Sequence, residues 1–293
     1  MTGLGIWAKR ALIGLPFLWL SVFFLLPLVI VAGISLAESA DAIPPFKPVL
    51  SLTSTGLHSD ATLGNYRELA EGCLRACANS LLYAALATLI CLVIGYPVAF
   101  AIARAPGTWR HLLLFLVMLP FWTSFLIRVY AWIAILQPSG LVNRLLLAMG
   151  LVEMPVPLLY NGFSVELGLV YSYLPFMILP LYGSLARLDD TLIEAAADLG
   201  APPWRVFLGV ILPLTLPGIA AGTLLVFIPA VGEFVIPDLL GGPDTLMIGK
   251  LLWQEFFDNV DWPAASAMAM ALVAVVTLPL LVMQRLVARE ARA

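Results

Sequence analysis

Six stretches of twenty or more residues run through this chain with a single charge among them. They cover residues 11–37, 76–103, 112–136, 167–186, 206–232 and 262–284, and the one charge is Arg128. A helix of about 20 mostly apolar residues crosses the hydrocarbon core of a bilayer. Water is absent there, so the backbone must satisfy its own hydrogen bonds, as a helix does. The pattern therefore predicts an all-α membrane protein with six transmembrane helices. Charged residues make up only 11% of the chain, less than half of the roughly 25% usual in soluble domains. The first stretch follows "WAKR". It is too long for the apolar region of a signal peptide and has no clear small-x-small cleavage site after it, so it is expected to stay as the first span.

Lysine and arginine placement orients the spans. With the N-terminus in the cytoplasm, nine bases fall on the inner side and five on the outer side. The acids divide the other way, five inside and thirteen outside. Both termini are then cytoplasmic. The net charge of −3 gives no reason to expect a nucleic-acid partner.

Residues 1–76 read as the first span and its outer loop, where "AIPPFKP" blocks helix formation. Residues 77–285 form the core, with a cytoplasmic loop at 187–205, and residues 286–293 form a short inner tail. The third outer segment covers 233–261. Cys73 and Cys77 stand four apart, a spacing seldom well aimed for a disulfide, and read as small apolar residues. His58 and His111 are isolated, so no metal site is expected. "GGPDTLMIGKL" has the wrong spacing for a phosphate loop, and Leu251 stands where a hydroxyl would hold magnesium. Neither H-E-x-x-H nor G-x-S-x-G occurs, so an enzyme is not expected.

The loop at 187–205 is built as a helix and a turn. Asp189 or Asp190 can cap a helix start, alanines 195–197 favour its continuation, and Gly200 favours its end. Pro202 and Pro203 stop the helix and can open a second one. The plain alternative is a surface connector between two spans. However, Glu194-Ala195-Ala196, then Gly200, then Val210 and Leu212-Pro213 resemble the EAA loop of ABC-importer permeases. Val210 stands where isoleucine is usual. The resemblance implies that this helix docks in a separate ATP-hydrolysing subunit, with Glu194, Ala195, Ala196 and Gly200 as the coupling residues.

"ISLAESADAIPPF", "LPFWTSFLIRVYAW" and the segment from "FIPAVGEFVIPDLLGG" through "DWPAASAMAM" resemble the polyamine branch of that family, in particular a putrescine importer with two homologous permeases. The resemblance implies a type I ABC importer (MetI-like) permease fold in the bacterial inner membrane. It implies a homologous second permease, two cytoplasmic ATP-binding subunits and a periplasmic polyamine-binding protein. ATP and magnesium would then be bound by the partner, and this chain would hold no cofactor.

A polyamine is an extended cation with an apolar stem. Carboxylates suit its ends and aromatic faces its length. Glu233 and Asp238 flank "FVI" at the membrane boundary and are the best candidates for the substrate path. Trp122, Tyr130, Trp132, Tyr171 and Tyr173 are the candidate path aromatics, against the plain alternative of belt or packing residues. Arg128 would repel a cation, so it is expected in a structural ion pair with Glu233 or Glu166, or snorkelling outward. Gly218 and Gly222 form a small-x-x-x-small face, and Pro213, Pro217 and Pro229 should bend the fifth span. Two alternatives stay open: another cationic or amino-acid-like cargo, and a stand-alone secondary transporter. The latter needs ionisable residues deep in the spans, and Arg128 alone is expected there.

Overall fold

A computed structural model describes residues 6–53 and 56–290. The chain opens with α1 (Ile6–Leu20), a π-helical turn (Ser21–Leu25) and α2 (Leu26–Ile34). A hairpin of β1 (Leu50–Thr53) and β2 (Gly56–Ser59) follows, then α3 (Gly64–Gly72) and the long α4 (Leu74–Arg104). Next come α5 (Gly107–Met118), α6 (Phe125–Leu136), α7 (Leu141–Ala148) and α8 (Gly162–Leu185). The loop after α8 supplies α9 (Asp190–Asp198) and α10 (Pro203–Val206). After a second π-turn (Phe207–Ile211) come α11 (Leu212–Val231), α12 (Val235–Leu239), α13 (Ile248–Trp253) and α14 (Trp262–Glu290). Among the described residues five helical segments are long and apolar enough to cross a membrane: Gly14–Ile34, Leu74–Arg104, Phe125–Ala148, Gly162–Leu185 and Pro203–Val231. A sixth apolar stretch, Trp262–Thr277, lies inside α14. The helix continues through Glu290, so most of the expected tail at 286–293 is helical. The short hairpin is the departure from an all-α chain.

Two compact units are present, Met1–Leu74 with Leu251–Ala293, and Arg75–Lys250. In the first, α14 packs on α2 and α3. The Asn65 side chain donates to Ser35 O (2.9 Å) and Ala37 O (2.8 Å), which satisfies carbonyls left open at the end of α2. Trp262 stacks on Phe256 with an interplanar angle of 5°.

In the second unit α8 and α11 form the central contact. Glycine makes it possible. A Cβ at position 218 would lie 2.8 Å from Pro180 O, and one at 222 would lie 2.7 Å from Met177 Sδ. Small residues also line the buried stripe of α4: Ala76, Ser80, Ala84, Ala87, Cys91 and Gly95 recur every three or four positions. Tyr96 Oη meets Thr215 Oγ1 inside at 2.8 Å, a paired buried polar contact. Gly222→Leu should force α8 and α11 apart at an overpacking cost of about 1–3 kcal/mol. A lowered unfolding temperature in detergent checks this, and an unchanged value would refute the tight contact.

The expected third span, 112–136, is broken. α5 stops at Met118, a 3-10 turn occupies Leu119–Trp122, and Thr123 and Ser124 are extended. Pro120 is the physical reason. It has no N–H to continue the helical ladder, and its ring clashes with the preceding turn. The Thr123 hydroxyl then donates to Pro120 O (2.8 Å) and fixes the corner. The fourth span also begins earlier than expected. Asn161 and Ser164 cap each other's backbone in a reciprocal box, so α8 starts at Gly162 and takes in Glu166.

Candidate functional site

The loop between α8 and α11 forms the first part of the site. Asp189 caps α9 by accepting the Thr191 amide at 3.0 Å, and that bond holds its carboxyl below the usual carboxylate range. Glu194 and Ala195 are exposed on α9, and Ala196 is half-buried. Gly200 adopts φ +77°, a left-handed conformation that glycine adopts without penalty. The Gly200 amide donates to Ala197 O (2.8 Å) and the Ala201 amide to Ala196 O (3.2 Å), which closes the end of α9. Pro202 is extended and α10 begins at Pro203. Around this turn Leu192, Leu199 and Trp204 are exposed, Leu199 at 89%. An isolated chain therefore presents small and apolar side chains to the solvent here.

The second part lies where α11 ends. Glu233 is nine-tenths buried, between α11 and α12. One carboxylate oxygen accepts the amides of Phe234 (3.1 Å) and Val235 (3.0 Å), and the other accepts the Tyr173 hydroxyl at 2.6 Å. Backbone shape holds the segment in place. A Cβ at Gly249 would meet Gly232 O at 2.5 Å and Glu233 O at 2.6 Å. The Ile248 amide donates to Ser80 Oγ (2.8 Å), and the Asn79 side chain donates to Asp244 O and Leu246 O. The Ser164 hydroxyl donates to Leu240 O at 2.7 Å.

Aromatic contacts lead away from Glu233. Tyr173 packs against Phe176, Phe176 against Phe121, and Arg128 lies over the Phe121 ring at 5.3 Å. Trp132 and Tyr171 form a separate T-shaped pair at 5.4 Å. Trp122 is exposed against Phe115, and Tyr130 is exposed on α6. Asp238 is exposed and paired with Lys250 at 3.3 Å. The structure thus brings Tyr173, Glu233 and Arg128 into one connected set and leaves Trp122, Tyr130 and Asp238 outside it.

The ion pair expected for Arg128 is absent. Glu233 is occupied as described, and neither carboxylate oxygen of the buried Glu166 has a hydrogen-bond partner. Arg128 instead lies over Phe121 and, at 5.6 Å, over Phe125. Each ring face contributes about 0.5–2 kcal/mol, while Nε and Nη1 of Arg128 stay buried without a hydrogen-bond partner. Glu166 is 8% exposed and lies within the Gly162–Leu185 segment. Arg128 is thus not alone as an ionisable residue in the spans. Among the described residues no group of three or more metal-ligating side chains is present.

Residues 92–293 match the sequence model of the binding-protein-dependent transport system inner membrane component family. The chain belongs to that family. It is 41% identical over 281 residues to the spermidine/putrescine transport system permease protein PotB of Haemophilus influenzae, covering 94% of this chain and 93% of that one. It is 41% identical to the Escherichia coli PotB, covering 91% of this chain and 93% of the other. The Escherichia coli inner membrane ABC transporter permease protein YdcU is 31% identical, with 84% and 86% covered. In a crystal structure of a bacterial ABC transporter that imports the acidic polysaccharide alginate, one chain superposes with a TM-score of 0.67 at 18% identity, covering 97% of this chain and 96% of that chain. The fold is therefore shared with an ABC importer.

As a member of this family the chain is a multi-pass membrane component of a transport system. The EAA segment falls within the matched region, and so does Glu233. Sequence reasoning gave Glu166 no role beyond a partner for Arg128, although the capping pair Asn161 and Ser164 was the signal that the helix reached it. It also passed over the exposed Leu192 and Leu199, whose spacing around Gly200 puts apolar surface beside the EAA residues.

Proposed function

We propose that the chain is the permease subunit of an ATP-driven polyamine importer, carrying putrescine or spermidine across the inner membrane from a periplasmic binding protein. The observation that carries this reading is the 41% identity to PotB over 94% of the chain. Six helices would cross the bilayer with both termini in the cytoplasm. A homologous second permease would complete the path, and two ATP-binding subunits would hold ATP and magnesium. The exposed α9–Gly200–α10 turn fits a docking element, because small and apolar side chains with no cover suit a groove in another protein.

In the cargo path Glu233 supplies a carboxylate and Tyr173 and Phe176 supply aromatic surface, the chemistry an alkylammonium chain requires. Closure of the ATP-bound subunits would move α9, and α8 and α11, joined to it through the chain, would tilt about their glycine contact. That is alternating access driven from the cytoplasm. Reconstitution in lipid with the second permease, the ATP-binding subunits and the binding protein tests the proposal. Putrescine or spermidine is expected to stimulate ATP hydrolysis several-fold. Stimulation by another solute and by neither polyamine would overturn the cargo assignment.

A further inference from the structure

The cytoplasmic end of α4 and the start of α9 are 86 residues apart in the chain and are joined by an ion pair between Arg104 Nη1 and Asp190 Oδ1. Arg104 is the last residue of α4 and Asp190 the first of α9. The pair therefore sets a cation at the negative end of one helix dipole and an anion at the positive end of another. Two neighbours order the arginine side. Phe100 lies under the guanidinium at 5.5 Å. Arg110 donates to Ala103 O (3.0 Å) and Ala105 O (3.2 Å), closing the end of α4. α9 also packs on α10 and the π-turn Phe207–Ile211, the elements that follow it in the chain.

We propose that Arg104 and Asp190 form a second transmission link, which passes the movement of the coupling helix to α4. The covalent chain already carries that movement to α8 and α11. The proposal rests on the coupling role of α9 given above. α4 is built to respond. Pro97 lies inside it, seven residues before Arg104, and cannot donate a helical hydrogen bond. Just before it, a Cβ at Gly95 would sit 3.2 Å from Met177 Cγ, the side chain that also fills the Gly222 face of α11. The inner end of α4 can thus turn about the point where α4, α8 and α11 meet, and the ion pair is the handle at its tip. The two side chains are 33% and 64% exposed, so the pair adds little to stability. Its value lies in making two helix ends move together, and both residues are positioning residues.

The test uses the full transporter in proteoliposomes with its binding protein, comparing Arg104→Gln, Asp190→Asn and the charge-exchanged Arg104→Asp/Asp190→Arg. The readout is cargo taken up per ATP hydrolysed. Each single variant should lower that ratio by up to about five-fold, the range open to a part-exposed ion pair, with ATP hydrolysis itself maintained. The exchanged double variant should recover part of the ratio, since it restores the pair while each charge opposes the dipole of its helix end. An unchanged ratio in the single variants would overturn the link. So would a fall that the double variant does not recover, because each residue would then act alone. A fall in uptake matched by loss of the ATP-binding subunits on co-purification would make the pair a docking contact and would also overturn it. Wild-type uptake of putrescine or spermidine is the control. Its absence counts against the proposed cargo, and the ratio is then read with whichever solute the binding protein delivers.

Discussion

A transporter carrying Gly200→Pro is expected to lose ATP-driven uptake altogether while the chain still inserts in the membrane. Gly200 sits at φ +77°. Proline is fixed near −65° and has no N–H, so it removes both the conformation and the donor that reaches Ala197 O. The cost, about 3 kcal/mol or more, is greater than an exposed nine-residue helix can return from its own contacts. α9 would then leave its angle to α10, and Glu194 would move away from the surface it is proposed to offer. Gly200→Ala gives the graded comparison. Alanine in a left-handed conformation costs about 1–2 kcal/mol, so uptake should fall without disappearing. Glu194→Lys should also abolish uptake, by reversing charge on the docking face and leaving the turn intact. Co-purification of the ATP-binding subunits measures the contact directly. Normal uptake with Gly200→Pro would remove the turn from the coupling machinery.

Where the helices lie was legible because uncharged length admits one backbone solution in lipid. The matching helices cover most of 11–37, 76–103, 167–186 and 206–232, and α14 begins at Trp262 as expected. The turn at Gly200 was legible for a different reason: caps, glycine and proline are local signals, and Asp189, Gly200 and Pro203 act within a few residues of themselves. Errors arose where a short-range signal competed with apolar length. Pro120 divides a run that reads as continuous, and the Asn161–Ser164 box extends α8 backward over a charge.

Long-range partners were not legible at all. Arg128 invited pairing with Glu233 or Glu166 on charge alone, yet Phe121 and Phe125 occupy its faces. Glu233 in turn is held by a tyrosine on α8 and by its own neighbours' amides. Nothing in the spacing of Arg104 and Asp190 announces their contact.

Glu233→Gln should reduce putrescine uptake by about ten-fold or more, the effect of replacing a charge-assisted hydrogen bond by a neutral one. The substitution preserves shape. The glutamine oxygen can still accept the Phe234 and Val235 amides, and its NH2 can donate to Tyr173, whose hydroxyl reverses its role. Only the charge is removed, so α12 should keep its start and the protein its unfolding temperature. Tyr173→Phe is the opposite probe, since it keeps the carboxylate and deletes one of its donors. If Glu233 meets the cation, Glu233→Gln is the more damaging change, and the loss appears as a higher putrescine concentration for half-maximal uptake. If the carboxylate only caps α12, glutamine keeps both amide bonds, and Glu233→Gln should transport putrescine like wild type. Unchanged putrescine uptake with Glu233→Gln would take this residue off the path and leave the aromatic surface of Tyr173 and Phe176 without its charged end.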